Sequence, residues 1–248
     1  MKMKTAFITG ANKGIGFETA KQLLEKGLFV YIGSRSLENG LQAVEKLRAE
    51  NLTHVEAIQI DVSDDNSVKV ARETVGAKTD VLDVLINNAG VNGGSAPYTV
   101  LEATSEEFLS AFNTNVLGTA RVTKAFIDLL RKSTEPRIVN VSTSVGSLTL
   151  QSNPHWPAYD YAKYGVYASS KAALNMYTVH LAYELRDTPF KVNAVCPGYT
   201  KTDFTFGNGG EVEVAAKRIS KYALIGQDGP TGKFFSEETN PETGEIPW

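Results

Sequence analysis

The sequence predicts a doubly wound α/β fold, with a seven-stranded, mostly parallel sheet and helices on both faces. Three observations lead there. Short apolar runs alternate with helical patterns along the whole chain. The runs carry apolar residues on both faces, as in strands covered on both sides. Small and polar residues suited to ligand contact fall where these runs end, and open parallel sheets bind ligands at their strand C-termini.

The chain has 248 residues and no linker, repeat or low-complexity stretch, so a single domain over 1–248 is expected. Hydrophobic residues make up 42% and charged residues 21%, the balance of a soluble globular chain. A formal net charge of −3 gives no basic footprint for nucleic acid. The apolar run after Met1-Lys2-Met3-Lys4 lasts only from Ala6 to Ile8, too short for a signal peptide, and no stretch approaches a membrane span. Cys196 is the single cysteine, so no intramolecular disulfide and no metal are expected. A cytoplasmic location follows as an expectation.

Ala6-Phe7-Ile8 reads as the first strand, and Thr9-Gly10-Ala11-Asn12-Lys13-Gly14-Ile15-Gly16 leads into a helix with Thr19, Ala20, Leu23 and Leu24 on one face. Leu28 to Ile32, bounded by glycines, is a second strand, and a helix follows from Leu37 to Glu50. Val55 to Ile60 is a third strand ending at Asp61. Ser63-Asp64-Asp65 caps the next helix. Val81 to Ile86 is a fourth strand, ending in Asn87-Asn88-Ala89-Gly90. Thr104-Ser105-Glu106-Glu107 starts a long helix toward Leu130, with a break expected near Gly118. Arg137 to Val141 is a fifth strand, Tyr164 to Leu185 a helix, and Lys191 to Cys196 a sixth strand ended by Pro197-Gly198. A helix over Glu211 to Tyr222 and a short strand at Lys233 to Phe235 precede a polar tail. Right-handed crossovers make this arrangement Rossmann-like.

The glycine turn has the context of a nucleotide-phosphate site. Gly10 permits a tight turn, and Gly14 and Gly16 let phosphate and helix approach closely. The unpaired N–H groups of the first helical turn point at an anion. An ordinary strand–helix turn uses similar residues, so the other strand ends carry weight. Gly33-Ser34-Arg35 places no carboxylate at the end of the second strand, where an acid would bind the ribose of NAD. Arg35 offers a planar fork to a phosphate, and Lys13 adds a second positive charge, so NADPH/NADP+ is the expected cofactor. Asp61 can accept from an adenine amino group with Val62 against the ring, or serve as a cap, or both. Asn88, Ala89 and Gly90 can bind the backbone and leave room for a ribose.

Tyr167-Ala168-Ser169-Ser170-Lys171 is the catalytic candidate. Residues i and i+4 project on the same side of a helix. A lysine ammonium near a phenol favours phenolate and lowers its pKa, fitting the tyrosine for proton exchange. The same lysine can hold the nicotinamide ribose. A second such pair, Tyr159 and Lys163, is rejected because Pro154, Pro157 and Gly165 break the segment around it.

With these residues the chain resembles the short-chain dehydrogenase/reductase superfamily, and most closely its NADPH-dependent carbonyl reductases. The resemblance runs through Thr9 to Gly16, Arg35, Asp61, Asn87 to Gly90, Asn115 within Thr114 to Thr119, Val139 to Thr143, Tyr167 to Lys171, and Pro197-Gly198 with Thr202. It implies hydride transfer to the carbonyl of a small-molecule ketone or aldehyde, with Tyr167 as proton donor, Lys171 lowering its pKa and binding ribose, and Asn115 holding a relay water. Ile15, Asn12, Thr200 and Thr202 join the implied cofactor contacts. The reverse oxidation of an alcohol, or an NADP(H) sensor without turnover, are the alternatives; such sensors usually lack the Tyr or the Lys.

The sequence departs from the family at two places. The family's second serine after the fifth strand corresponds here to Thr143, which supplies an equivalent hydroxyl. Ser142 remains the alternative, since strand alternation decides which hydroxyl faces the site. The stretch from Thr143 to Tyr167 is also longer than the family's usual spacing. The insertion at 145–163 is expected beside the active site or over the helix bearing Tyr167, with His155 and Trp156 either lining the substrate mouth or forming a surface loop with a buried Trp. Related carbonyl reductases use such an insertion to cover an assembly surface, so a monomer is favoured over a dimer or tetramer. Substrate choice is assigned to the insertion, the 91–98 loop and the 200–210 loop, where Phe204 and Phe206 can form an apolar lid.

Overall fold

The computed structural model describes residues 3–94 and 100–248. The strands are β1 (Thr5–Ile8), β2 (Phe29–Ser34), β3 (Val55–Gln59), β4 (Val84–Asn87), β5 (Arg137–Val141), β6 (Lys191–Val195) and β7 (Phe234–Phe235). They lie in the order β3-β2-β1-β4-β5-β6-β7, all paired in parallel. The strand order reverses between β1 and β4, so the crevice above these two is the switch point. The glycine turn leaves β1 there.

The helices are α1 (Gly14–Glu25), α2 (Leu37–Ala49), α3 (Asp65–Gly76), α4 (Ser105–Phe112), α5 (Thr119–Leu130), α6 (Leu148–Gln151), α7 (Gly165–Glu184) and α8 (Val212–Ala223). Successive β1 residues face opposite layers. Ile8 packs with Leu23, Val44 and Ile219 from α1, α2 and α8. Phe7 packs with Val75, Phe126 and Leu185 on the other face. The Phe7 and Phe126 rings stack at 4.7 Å with no exposed surface.

The expected break near Gly118 is a π-helical turn, Asn113–Gly118, that joins α4 to α5 without interrupting the helical run. Gly118 lies hard against the strand-end residue Val62: a Cβ there would sit 2.9 Å from the Val62 Cγ2. π-turns of this kind recur at functional sites because the extra residue re-aims the side chains beside it.

One expectation about the later chain changes. The tail is not simply polar. Gly244 to Ile246 returns antiparallel along β7, with a bridge between Phe235 and Glu245, Ile246 buried, and Trp248 stacked on Phe234 at 5.3 Å. Phe234 supplies an apolar surface that Ile246 and Trp248 cover, while Phe235 faces the other layer and stacks on Tyr222. The 145–163 insertion forms α6 and a series of turns held against this tail: the Thr149 N–H donates to the Trp248 carbonyl at 3.0 Å, and Ser147 Oγ to the Pro247 carbonyl at 2.7 Å. It leaves Met176 and Tyr183 on α7 exposed, at 56% and 65%. The insertion therefore leaves these two side chains of α7 uncovered.

Candidate active site

The glycine turn folds as its residue types require. Gly10 and Gly14 have φ of +64° and +58°, in the left-handed region that side chains resist. Gly16 has no room for a side chain: a Cβ would lie 2.5 Å from Asn88 Nδ2 and 2.6 Å from the Gly10 carbonyl oxygen. Ser36, Asp64 and Thr104 cap α2, α3 and α4 through their side chains, whereas α1 has no side-chain cap. Its first N–H groups are thus available to a phosphate. Asn12 and Ile15 are half-buried in this turn.

Asn88 belongs to the architecture of the turn. Its Nδ2 donates to the carbonyls of Thr9 and Gly10, both at 3.0 Å, while Thr9 Oγ1 accepts from the N–H groups of Asn88 and Ala89. Gly90 lies over two of the candidate groups: a Cβ on it would come 3.2 Å from Asn115 Oδ1 and 3.6 Å from Lys171 Nζ. A cradle that a Cβ would fill is what a ribose needs.

At the end of β2, Arg35 is exposed and lies close enough to influence Asp61. Burial pushes the Asp61 carboxyl up, but the hydroxyl and N–H of Ser63, with Arg35 nearby, more than offset this and hold it below its ordinary value. Asp61 Oδ1 accepts both Ser63 bonds, while Asp64 caps α3. Lys13 pairs with Asp203 at 2.6 Å, linking the glycine turn to the segment after β6. Val62 is buried against Gly118.

Tyr167 and Lys171 stand one turn apart on α7, with Lys171 Nζ 5.8 Å from the Tyr167 ring centre. Lys171 Nζ donates to the Val141 carbonyl at the end of β5, at 2.8 Å. Asn115 sits in the π-turn, fully buried. Its Nδ2 donates to the Val91 carbonyl and to Ser170 Oγ, both at 2.9 Å, and its Oδ1 accepts from the Val91 N–H. Ser170 Oγ in turn donates to the Tyr167 carbonyl. One polar cluster thus ties β4's exit, the π-turn and α7 together.

The electrostatics differ from the sequence expectation. Burial pushes the Tyr167 phenol well above its ordinary value and the Lys171 ammonium down to about 8. Desolvation is the main cause for both groups. In this state Tyr167 holds its proton, as a proton donor must.

The two candidate hydroxyls separate. Ser142 is buried and its Oγ donates to Asn175 Oδ1 at 2.6 Å, away from the crevice groups. Thr143 is half-buried in an extended conformation, and its Oγ1 only accepts, from the Val145 N–H at 3.4 Å, which leaves its hydroxyl proton for donation.

Beyond β6, Gly198 takes φ +91° and the Pro197 carbonyl accepts from Arg218. Thr200 is buried, with its hydroxyl on the Gly198 carbonyl. Thr202 Cγ2 lies 3.5 Å from the position of a Cβ on Gly14, so this segment borders the phosphate turn. Phe204 packs on the Tyr167 ring at 5.3 Å. Phe206 is 86% exposed with φ +53°, a costly conformation for an aromatic residue. In the insertion Trp156 is buried and His155 exposed, the arrangement of a surface loop with a buried Trp. Tyr159 and Lys163 lie in turns outside any helix, with Lys163 Nζ on the Gln151 carbonyl and the Tyr159 ring. Of the 91–98 loop, 95–98 lies outside the described residues. Among the described residues no cluster of three or more His, Cys, Asp or Glu side chains can hold a metal.

Asn175 escaped the sequence reading. The signal was present, since it follows Lys171 by four positions and Tyr167 by eight, on one helical face.

A doubly wound sheet with an uncapped glycine turn at its switch point, facing a Tyr–Lys pair on one helix, defines a dinucleotide-dependent oxidoreductase. The chain belongs to the short chain dehydrogenase family, whose profile matches residues 4–209. It is 33% identical to salutaridine reductase of Papaver bracteatum, over 94% of each chain. It is 35% identical to (+)-neomenthol dehydrogenase of Arabidopsis thaliana, over 94% of this chain and 96% of that one. The solved structure of salutaridine reductase from Papaver somniferum superposes with a TM-score of 0.81 at 31% identity, covering 94% of this chain and 99% of that one. The first of these alignments extends over 299 positions, more than this 248-residue chain contains, so that relative carries insertions this one lacks.

Proposed function

We infer that the protein reduces a small-molecule ketone or aldehyde to an alcohol at the expense of NADPH, with Tyr167 as the proton donor. The observation that carries this is the convergence of Tyr167, Lys171, Asn115 and Gly90 at the switch-point crevice. The residues fit the dinucleotide. The open N-terminus of α1 takes the diphosphate, Gly90 leaves room for the nicotinamide ribose beside Lys171, and Arg35 meets the 2′-phosphate, joined by Lys13 on release from its exposed pair with Asp203. A structural relative at 28% identity and a TM-score of 0.81, titled ElxO with NADP Bound, is consistent with that choice. Asp61 and Val62 receive the adenine, and Thr200 and Thr202 border the diphosphate from the far side.

When bound, NADPH supplies the hydride. The chain supplies the rest. The Thr143 hydroxyl donates to the substrate oxygen and orients the carbonyl. Tyr167 delivers its proton to that oxygen as negative charge develops there. The Lys171 ammonium stabilises the phenolate left behind. Asn115, fixed at both ends of its amide, anchors the route by which Tyr167 is reprotonated.

An apolar, ring-bearing carbonyl compound fits as the substrate, since Phe204 packs on the Tyr167 ring and the relatives' names refer to salutaridine and neomenthol. The word dehydrogenase in one of those names supports the reverse direction as a second reading. NADPH oxidation against a panel of cyclic ketones tests the proposal. Turnover that falls about 100-fold or more in Tyr167→Phe is expected. Tight NADPH binding with no turnover on any carbonyl, and no effect of that substitution, would instead indicate a sensor.

A further inference from the structure

We propose that Asn175 is the positioning residue for the Thr143 hydroxyl, stapling both ends of the Thr143 turn to the catalytic helix. This rests on the reading of Thr143 as the hydroxyl that meets the substrate.

Thr143 leaves the end of β5 and enters the tight turn Ser144–Gly146. The turn closes on itself through the Gly146 N–H to the Thr143 carbonyl at 2.9 Å and the Val145 N–H to Thr143 Oγ1 at 3.4 Å, and where it sits relative to the helices depends on what holds its flanks. Asn175 holds both. Its Oδ1 accepts from Ser142 Oγ at 2.6 Å, just before Thr143, and its Nδ2 donates to the Gly146 carbonyl at 3.1 Å, just after. Ser142, Gly146 and Asn175 are all buried. The two bonds use opposite ends of one planar amide, so they define the amide's orientation and lock the turn's two flanks at a fixed separation.

The helix that carries this staple also carries the chemistry. Asn175 lies one turn beyond Lys171 and two beyond Tyr167. Gly146 touches the same helix directly: a Cβ on it would sit 2.9 Å from Lys171 Cβ and 3.0 Å from the Lys171 carbonyl carbon. The Thr143 turn therefore rides on α7 at Lys171. Any shift of the turn relative to α7 changes the distance between the hydroxyl that orients the carbonyl and the phenol that protonates it. No other side chain bonds both flanks of the turn among the described residues. Val145 is held separately, through its carbonyl, by Gln151.

Asn175→Leu keeps the side chain's heavy-atom count and branching, is somewhat larger, and removes both bonds. Three measurements on the full chain decide the matter: kcat for 4-nitrobenzaldehyde with NADPH, the NADPH Kd, and hydrogen–deuterium exchange over 143–147. A misplaced reacting group costs up to about 100-fold, so kcat is expected to fall about 10- to 100-fold. The NADPH Kd stays within about twofold, because Asn175 touches none of the cofactor-side residues. Exchange over 143–147 accelerates while that of α1 does not. In a Thr143→Val background Asn175→Leu adds little further loss, since the hydroxyl it positions is gone. An unchanged kcat, a full multiplicative loss in the double variant, or unaltered exchange each overturns the proposal. Should Asn175→Leu fail to fold, Ser142→Ala removes only one bond and is expected to slow kcat by a smaller factor; no slowing overturns the proposal. Full activity in Thr143→Val, with faster exchange in Asn175→Leu, would show the staple is real and the Thr143 assignment wrong. Absence of turnover in the wild type would count against the function, and the exchange comparison would still judge the staple.

Discussion

Lys171 illustrates how burial sets the working range of a single residue. Its ammonium is pushed down to about 8. Below that pH it is charged and supports the phenolate of Tyr167; above it the support is lost. The pH profile of kcat is thus expected to decline as pH rises through about 8, and a flat profile from pH 7 to 10 would contradict the role. Stability moves the other way. The folded chain binds this proton less tightly than the unfolded chain, whose lysine titrates near 10.5. The group's contribution is therefore most favourable above that value and diminishes as pH falls toward about 8. At Arg35, replacement by Asp removes a guanidinium from the 2′-phosphate and adds repulsion. The NADPH Kd is expected to rise about 10- to 100-fold and the NADH Kd to stay level. Titration by fluorescence quenching checks it, and an unchanged preference rejects the assignment.

The elements were legible where local pattern and tertiary packing ask for the same residues. β5 begins and ends where the sequence places it, at Arg137 and Val141, because it lies inside the sheet and is buried along its whole length. β4 starts later than its apolar run, at Val84, because Asp83 turns its carboxylate to the Thr5 N–H and Leu82 bonds back to α5. The π-turn shows a limit of another kind. A glycine in a helical pattern announces a disturbance but not its hydrogen-bond spacing, which depends on contact with Val62 far off in sequence. Nor does a motif tell which of two neighbouring hydroxyls points inward. Ser142 is claimed by Asn175, a fact of three dimensions. Gly16 allows a test at this scale. A methyl there meets the Gly10 backbone, not merely a movable side chain, and Gly16→Ala is expected to destabilise the fold by about 1–3 kcal/mol and weaken NADPH binding. Thermal unfolding with and without NADPH separates the two effects.

Across the whole molecule the layers depend on a few large residues. Phe126 joins α5 to β1 through its stack on Phe7, with no surface left to water. Phe126→Ala is expected to cost about 3–5 kcal/mol in urea unfolding; a loss below 1 kcal/mol would mean this layer repacks around the cavity. The sequence indicated both layers through strands apolar on both faces. It did not indicate the return of the tail, because Gly244 to Ile246 is too short and mixed to read as a strand. That return has a consequence for how the protein behaves in company. A parallel sheet ends in two rows of bare peptide groups, and such rows recruit strands from other molecules. Along β7 the Ile246 N–H donates to the Phe234 carbonyl and the Ser236 N–H to the Gly244 carbonyl. The chain spends its own residues to close that border, so strand-to-strand aggregation is left only the β3 side.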